Sequence, residues 1–168
     1  MATLKWEMGL PKANDDVATP EWLMKDLRKE FGEELFDPCP LKSEKKDGLE
    51  VEWGAITYVN PPYSNIRPWL EKAIDEMGKG KTVLFLIPFK PQSGYFQDLV
   101  LPYCQEVRCY SKDIIFQGYT KPTPFSMCLV VFKGEDRRRK RKPTVSHDAQ
   151  AQPKKRKRGH TWQYYTLR

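Results

Sequence analysis

Two short runs, residues 82–87 and 127–132, are apolar almost without interruption and of strand length. A strand with one wet face alternates, so an unbroken run predicts a strand covered on both faces. Around these runs the pattern alternates between helix and strand. Thr19-Pro20 before Glu21-Trp22-Leu23 predicts a helix start, with Thr19 as N-cap and Pro20 at the first helical position. Leu23, Leu27 and Phe31 follow at helical spacing, and Gly32 supplies the stop. Residues 34–37 form a short strand candidate, 40–51 a charged loop, and 55–59 a β-rich run. Residues 68–77 fit a helix with Trp69, Leu70, Ala73, Ile74 and Met77 on one face. Helical character is expected again at 95–101 and a strand at 106–110. This order predicts an α/β domain with a largely parallel central sheet, whose ligands sit at the carboxyl ends of the strands.

Charge divides the chain. Up to Gly134 there are 17 Lys+Arg against 19 Asp+Glu, and beyond it 12 against 3. The whole basic excess therefore belongs to an appended tail, residues 135–168, behind a faintly acidic body, residues 1–134. Two blocks carry it: Arg137, Arg138, Arg139, Lys140, Arg141 and Lys142, then Lys154, Lys155, Arg156, Lys157 and Arg158. Ser, Thr, Gln, Ala and Pro lie between them, a composition expected to be disordered in isolation. Such blocks read as a nucleic-acid tether or as a signal for an import receptor. The closing Thr161-Trp162-Gln163-Tyr164-Tyr165 is aromatic for a tail, suited to stacking on bases or to docking back on the body.

Several classes are disfavoured. No stretch approaches 18 apolar residues, which argues against a membrane span, and the first residues lack the apolar core of a secretory signal. Cys39, Cys104, Cys109 and Cys128 show no C-x-x-C spacing, so no metal site is expected. His147 and His160 both fall in the tail, away from any catalytic role. An intracellular protein is expected, nuclear in a eukaryotic host and cytoplasmic otherwise.

The chemistry concentrates in Asn60-Pro61-Pro62-Tyr63, directly after a predicted strand. Each proline pushes the residue before it out of the α region and removes a backbone donor. The Asn60 side-chain oxygen and the Pro61 carbonyl are then two acceptors suited to an amino group, and Tyr63 offers a flat face for an aromatic ring. Two acceptors holding an exocyclic amine favour a pyramidal nitrogen, whose lone pair can attack a methyl donor. A base in duplex DNA must first leave the stack to reach such a pocket. By itself the turn leaves open an amine on RNA or a protein amide, and also a catalytically silent DNA-binding module.

The ordered set of motifs resembles the phage-type DNA N6-adenine methyltransferases over most of residues 17–133. The resemblance rests on Thr-Pro-Glu-Trp-Leu with Glu30-Phe31-Gly32, on Phe36-Asp37-Pro38-Cys39-Pro40, and on Asp47-Gly48-Leu49 with Trp53. Residues 59–64 resemble the catalytic loop, and Pro124-Phe125-Ser126 leading into Leu129-Val130-Val131-Phe132 the closing strand. It implies a compact Rossmann-like domain that moves a methyl group from S-adenosylmethionine to N6 of adenine in DNA. Asn60 and Pro61, with Pro62 stiffening the turn, would grip the amine while Tyr63 stacks on the flipped base. Asp37 and Pro38 would lie by the cofactor, with Asp47 toward its adenosine portion. Thr19 and Pro20 would meet its carboxylate at a helix N-terminus. Pro40-Leu41-Lys42 stands where many enzymes using this cofactor carry a glycine-rich turn. A body of 134 residues is short for a separate target-recognition domain, so low sequence specificity or an oligomer is expected. Phe89 and Lys90 end a buried strand at the presumed site edge, as candidates for pocket lining and phosphate contact.

Overall fold

A computed structural model of the chain describes residues 17–40, 47–110, 113–134 and 162–165, the last four by backbone alone. The two basic blocks lie outside the described residues. Five strands, β1 (Ile56–Val59), β2 (Thr82–Pro88), β3 (Glu106–Tyr110), β4 (Met127–Lys133) and β5 (Trp162–Tyr165), form one sheet in the order β1-β2-β4-β3-β5. The helices are α1 (Glu21–Phe31) and α2 (Ile66–Gly78), with a short π-helical segment at Phe96–Val100.

The expected coverage on both faces is present. Along β2, Val83, Phe85 and Ile87 join a core with Trp69, Leu70 and Ala73 of α2. Leu84 and Leu86 point the other way, into a core with Leu23 and Leu27 of α1. In β4 the same alternation sends Cys128, Val130 and Phe132 toward α2, and Met127, Leu129 and Val131 toward α1. The chain is thus a helix–sheet–helix sandwich whose central strands have no wet face.

The largely parallel sheet is corrected. Among the described strands, β1 and β2 alone pair in parallel; β2–β4, β3–β4 and β3–β5 are antiparallel. These pairings make β1, β2 and β3 run in one direction, with β4 inserted between β2 and β3 against them. A run buried on both faces has the same composition whichever way it points, so its direction is not written in its residues. The 34–37 strand shrinks to one parallel bridge, Phe36 to Thr57, held by Phe36 N donating to Ile56 O (3.0 Å) and Tyr58 N to Phe36 O (2.9 Å). At α1 the cap is one residue later than expected. Pro20 is the N-cap, its carbonyl accepting from Leu23 N and Met24 N, and the Thr19 side chain is engaged elsewhere. The aromatic end of the tail belongs to the sheet, since Trp162–Tyr165 pairs along β3 from Tyr110 to Val107.

Two ion clusters hold the helices to the sheet. Arg108, 5% exposed on β3, makes a bidentate contact with Glu30 of α1 (both 2.7 Å). On the other face, the fully buried Glu76 of α2 meets Lys72 (3.0 Å), Lys79 (2.8 Å) and Lys81 (2.6 Å). Burial alone would raise the Glu76 pKa; hydrogen bonds from the three lysines outweigh it and hold the carboxyl at about 2. A folded carboxyl that binds its proton more weakly than the unfolded one stabilises the fold above its ordinary pKa of 4.5, and that support is lost as pH falls toward 2. Glu76→Gln is therefore expected to lower stability at neutral pH by about 3–5 kcal/mol. It should also flatten the loss of stability below pH 4.5, as read from denaturant midpoints across the acid range.

Candidate active site

Because β1, β2 and β3 run the same way, their carboxyl ends share one edge. Asp37 after the Phe36 bridge, Asn60 after β1 and Phe89 after β2 all emerge there, and β4 begins there, with Met127 opposite Pro88. The reversed β4 has a consequence for the site. The connection from β3 to β4 must cross this same edge, and it carries Ile114, Phe116, Tyr119 and Phe125.

Asn60 sits half-buried at the centre. Its amide Nδ2 donates to the Val17 carbonyl (2.7 Å), and its Oδ1 accepts from the Tyr63 hydroxyl (2.8 Å). A carbonyl can only accept, so Val17 dictates which way the amide faces and turns its oxygen toward Tyr63. That oxygen keeps a second lone pair. Pro62 is extended (φ −59°, ψ 120°) and a single 3-10 turn, Tyr63–Asn65, leads straight into α2. The buried Pro61 and the stiff Pro62 thus connect a strand end to a helix start with little slack.

Tyr63 stands at an aromatic cavity of about 290 Å³. Phe125 meets it edge-on (6.3 Å, 77°) and Phe116 at a tilt (6.4 Å, 53°). Ile66, Pro88, Lys90, Tyr95 and Lys121 also line it, Tyr95 donating its hydroxyl to the Pro88 carbonyl (3.1 Å). Motif reading passes over Phe116 and Tyr119 as site residues, and it meets Phe125 only as part of the closing-strand motif. Their signal was three aromatic residues in a long proline-bearing connection, where a plain loop would be polar.

The residues assigned to the cofactor gather beside this turn and do not line the cavity. Thr19 Oγ1 shares a 2.7 Å hydrogen bond with the Tyr58 hydroxyl. Burial drives the Tyr58 phenol far above its ordinary pKa, and the nearby Asp37 charge adds to the rise. Asp37 Oδ1 accepts from Cys39 N (2.8 Å), a local turn of the kind that Asp before Pro makes, and desolvation raises its pKa. Asp47 Oδ1 accepts from Leu49 N (2.9 Å) in a similar turn. Gly48 joins the two turns: a Cβ there would lie 2.1 Å from the Pro38 carbonyl and 2.7 Å from the Trp69 ring. Trp53 Nε1 also donates to the Gly48 carbonyl (2.8 Å), pinning the second turn against the first.

Residues 17–19 tie these parts together. The Val17 carbonyl holds Asn60, the Ala18 carbonyl accepts from Gln117 N (2.9 Å), and the Thr19 carbonyl accepts from Gln117 Nε2 (2.7 Å). The Asn60 turn, Tyr58 of β1 and the connection carrying Phe116 are therefore tied to one backbone stretch. Thr19→Val would leave the Tyr58 hydroxyl, on a residue only 1% exposed, without its partner. The expected cost is about 1–3 kcal/mol in chemical denaturation, the penalty for an unsatisfied buried donor.

A family model described as DNA N-6-adenine-methyltransferase (Dam) matches residues 9–117. This chain belongs to that family. The match takes in the Thr19-Pro20 start, the Asp37 and Asp47 turns, the Asn60–Tyr63 loop and Phe116, and it ends before Phe125 and β4. No curated protein and no solved structure matches the chain. Membership in the Dam family makes the protein a DNA adenine methyltransferase, with N6 of adenine as the acceptor. Among the described residues, no helix is long and apolar enough to cross a membrane.

Proposed function

We propose that the protein methylates N6 of an adenine turned out of the DNA stack into the cavity beside Tyr63, with S-adenosylmethionine as donor. The observation carrying this reading is the hydrogen bond from Tyr63, a residue that lines an aromatic cavity, to Asn60 Oδ1 on the carboxyl edge of the sheet. At about 290 Å³ the cavity lies near the lower end of small-molecule sites, about 300–1,000 Å³, as suits one purine. Tyr63 and Phe125 offer ring faces and edges to it, and Asn60 Oδ1 and the Pro61 carbonyl accept the two amine hydrogens. The amine nitrogen is thereby held pyramidal, with its lone pair aimed away from both acceptors. When bound, S-adenosylmethionine supplies a methyl group on a sulfonium and departs as the thioether, after which N6 returns its extra proton to solvent.

The residues on the cofactor side fit that donor by their chemistry. Asp37 and Asp47 each commit one oxygen to a local backbone N–H, leaving the other as an acceptor. Two such acceptors suit ribose hydroxyls, an α-ammonium and the positive sulfonium. Thr19 and Pro20 place the amino end of α1 beside them for the carboxylate. In this reading the body is a shortened Rossmann-like methyltransferase sheet, with Asp37, Asn60 and Pro88 at the ends of its like-directed strands.

The basic blocks act as a DNA tether. Supporting this, β5 begins at Trp162 opposite Tyr110, at the sheet edge that carries Asn60. The deciding experiment is methyl transfer from labelled S-adenosylmethionine to single- and double-stranded DNA, with nucleoside mass spectrometry of the product. N6-methyladenine is the expected product. DNA binding with neither transfer nor cofactor binding would replace this reading with a silent DNA-binding module.

A further inference from the structure

Cations in the described part of the body fall into two groups. Lys25, Arg67, Lys72, Lys79, Lys81 and Arg108 each lie within 4.0 Å of an Asp or Glu oxygen. Lys90 and Lys121 are in no such pair, nor are Arg28, Lys29 and Lys133, but of these only Lys90 and Lys121 line the cavity beside Tyr63, whose lining among the described residues includes no carboxylate. Lys90 Nζ stands 5.6 Å from the centroid of the Phe125 ring, so its stem and charge already lie along the cavity wall. An exposed cation–π contact contributes only about 0.5–1 kcal/mol, weak enough to yield to an anion. In a body with more acidic than basic residues, a wall whose described residues include two cations and no acid stands apart. Apolar aromatic walls below and ammonium groups at the side match a ligand that is part flat ring and part anion.

We propose that Lys90 and Lys121 hold the phosphates flanking the flipped adenine, so the site selects a nucleotide within a strand over a free base. This rests on the cavity being the base pocket. Lysine suits the role, since a point charge on a flexible stem can follow a backbone phosphate as the base swings out. It also gives an acidic body a local DNA contact that is independent of the tail. One other anion has matching chemistry, the carboxylate of the methyl donor, and the test separates the two.

The test compares full-length Lys90→Met/Lys121→Met with Lys90→Arg/Lys121→Arg, since Met keeps the apolar stem and Arg keeps the charge. Affinity for mixed-sequence DNA is measured over a salt series, and S-adenosylmethionine affinity in parallel. The Met pair is expected to lose about tenfold in DNA affinity at low salt. Its log–log salt slope should fall by about 1.8, two phosphate contacts at about 0.9 each, while the Arg pair keeps the slope. Unchanged DNA affinity and slope in the Met pair would overturn the proposal, as would a loss confined to the methyl donor. Phe125→Ala tests the underlying pocket separately. If that variant keeps both KM for DNA and kcat, the base-pocket reading fails even where the lysine slope change is seen.

Discussion

Asn60→Ala is expected to lower methyl transfer to DNA by at least about a hundredfold, the scale seen when one preorganised polar group at a reacting centre is removed. Asn60 has two roles that the substitution removes together. In the proposed mechanism its Oδ1 accepts from the amine, and its Nδ2 donates to the Val17 carbonyl, which fixes the direction of Oδ1. The second loss also costs stability, about 1–3 kcal/mol for a half-buried carbonyl left without its donor. Cofactor affinity should change little, because Asp37 and Asp47 are held by their own turns and not by Asn60. The measurements are initial rates with labelled donor, cofactor calorimetry and a melting curve. Tyr63→Phe is the informative companion, since it deletes only the hydroxyl that Oδ1 accepts and keeps the ring, so its loss should be much smaller. Transfer by Asn60→Ala within fivefold of the parent would remove the acceptor-grip mechanism, whatever its effect on melting.

Replacing the eleven basic residues of the two blocks with Gln is expected to weaken DNA binding more than any single change in the body. Each phosphate neutralised contributes about 0.9 to the log–log salt slope, so engagement of half the side chains would lower the slope by about 5. That corresponds to orders of magnitude in affinity at low salt. Substitution is the proper form of this test because truncation at residue 135 would also delete β5. Loss of Trp162–Tyr165 strips a paired strand from β3 and opens its edge, which invites association between chains. A DNA affinity lost in that way would not report on charge. An unchanged salt slope in the Gln variant would assign the blocks to nuclear import.

Much of this site is legible in the residues themselves, because its central turn is stiffened locally. Two consecutive prolines restrict their own backbone and that of the residue before each, so Asn60 and Tyr63 are presented together by chain chemistry that no distant contact need supply. The Asp37 and Asp47 turns are similarly local, each carboxylate accepting from a backbone N–H two residues ahead. Helix α1 was displaced by one residue for the opposite reason. Thr19 is a good cap by type, but its hydroxyl finds Tyr58, 39 positions away, and a contact at that distance leaves no trace near Thr19. The facing of the aromatic walls toward Tyr63 left no trace in the motifs on the same ground. Phe116 and Phe125 face Tyr63 because β4 runs back between β2 and β3, carrying the preceding connection over the site.

The sequence by itself determined the elements, the burial of the central strands on both faces, the acceptor turn and the charge division between body and tail. All of these depend on residues close in the chain or on composition. Tertiary structure alone decided the direction of β4, the docking of Trp162–Tyr165 on β3, and the placing of Lys90 and Lys121 on one cavity wall. Strand direction and edge pairing depend on backbone hydrogen bonds, which every residue but proline can make alike, so side-chain identity carries almost no record of them.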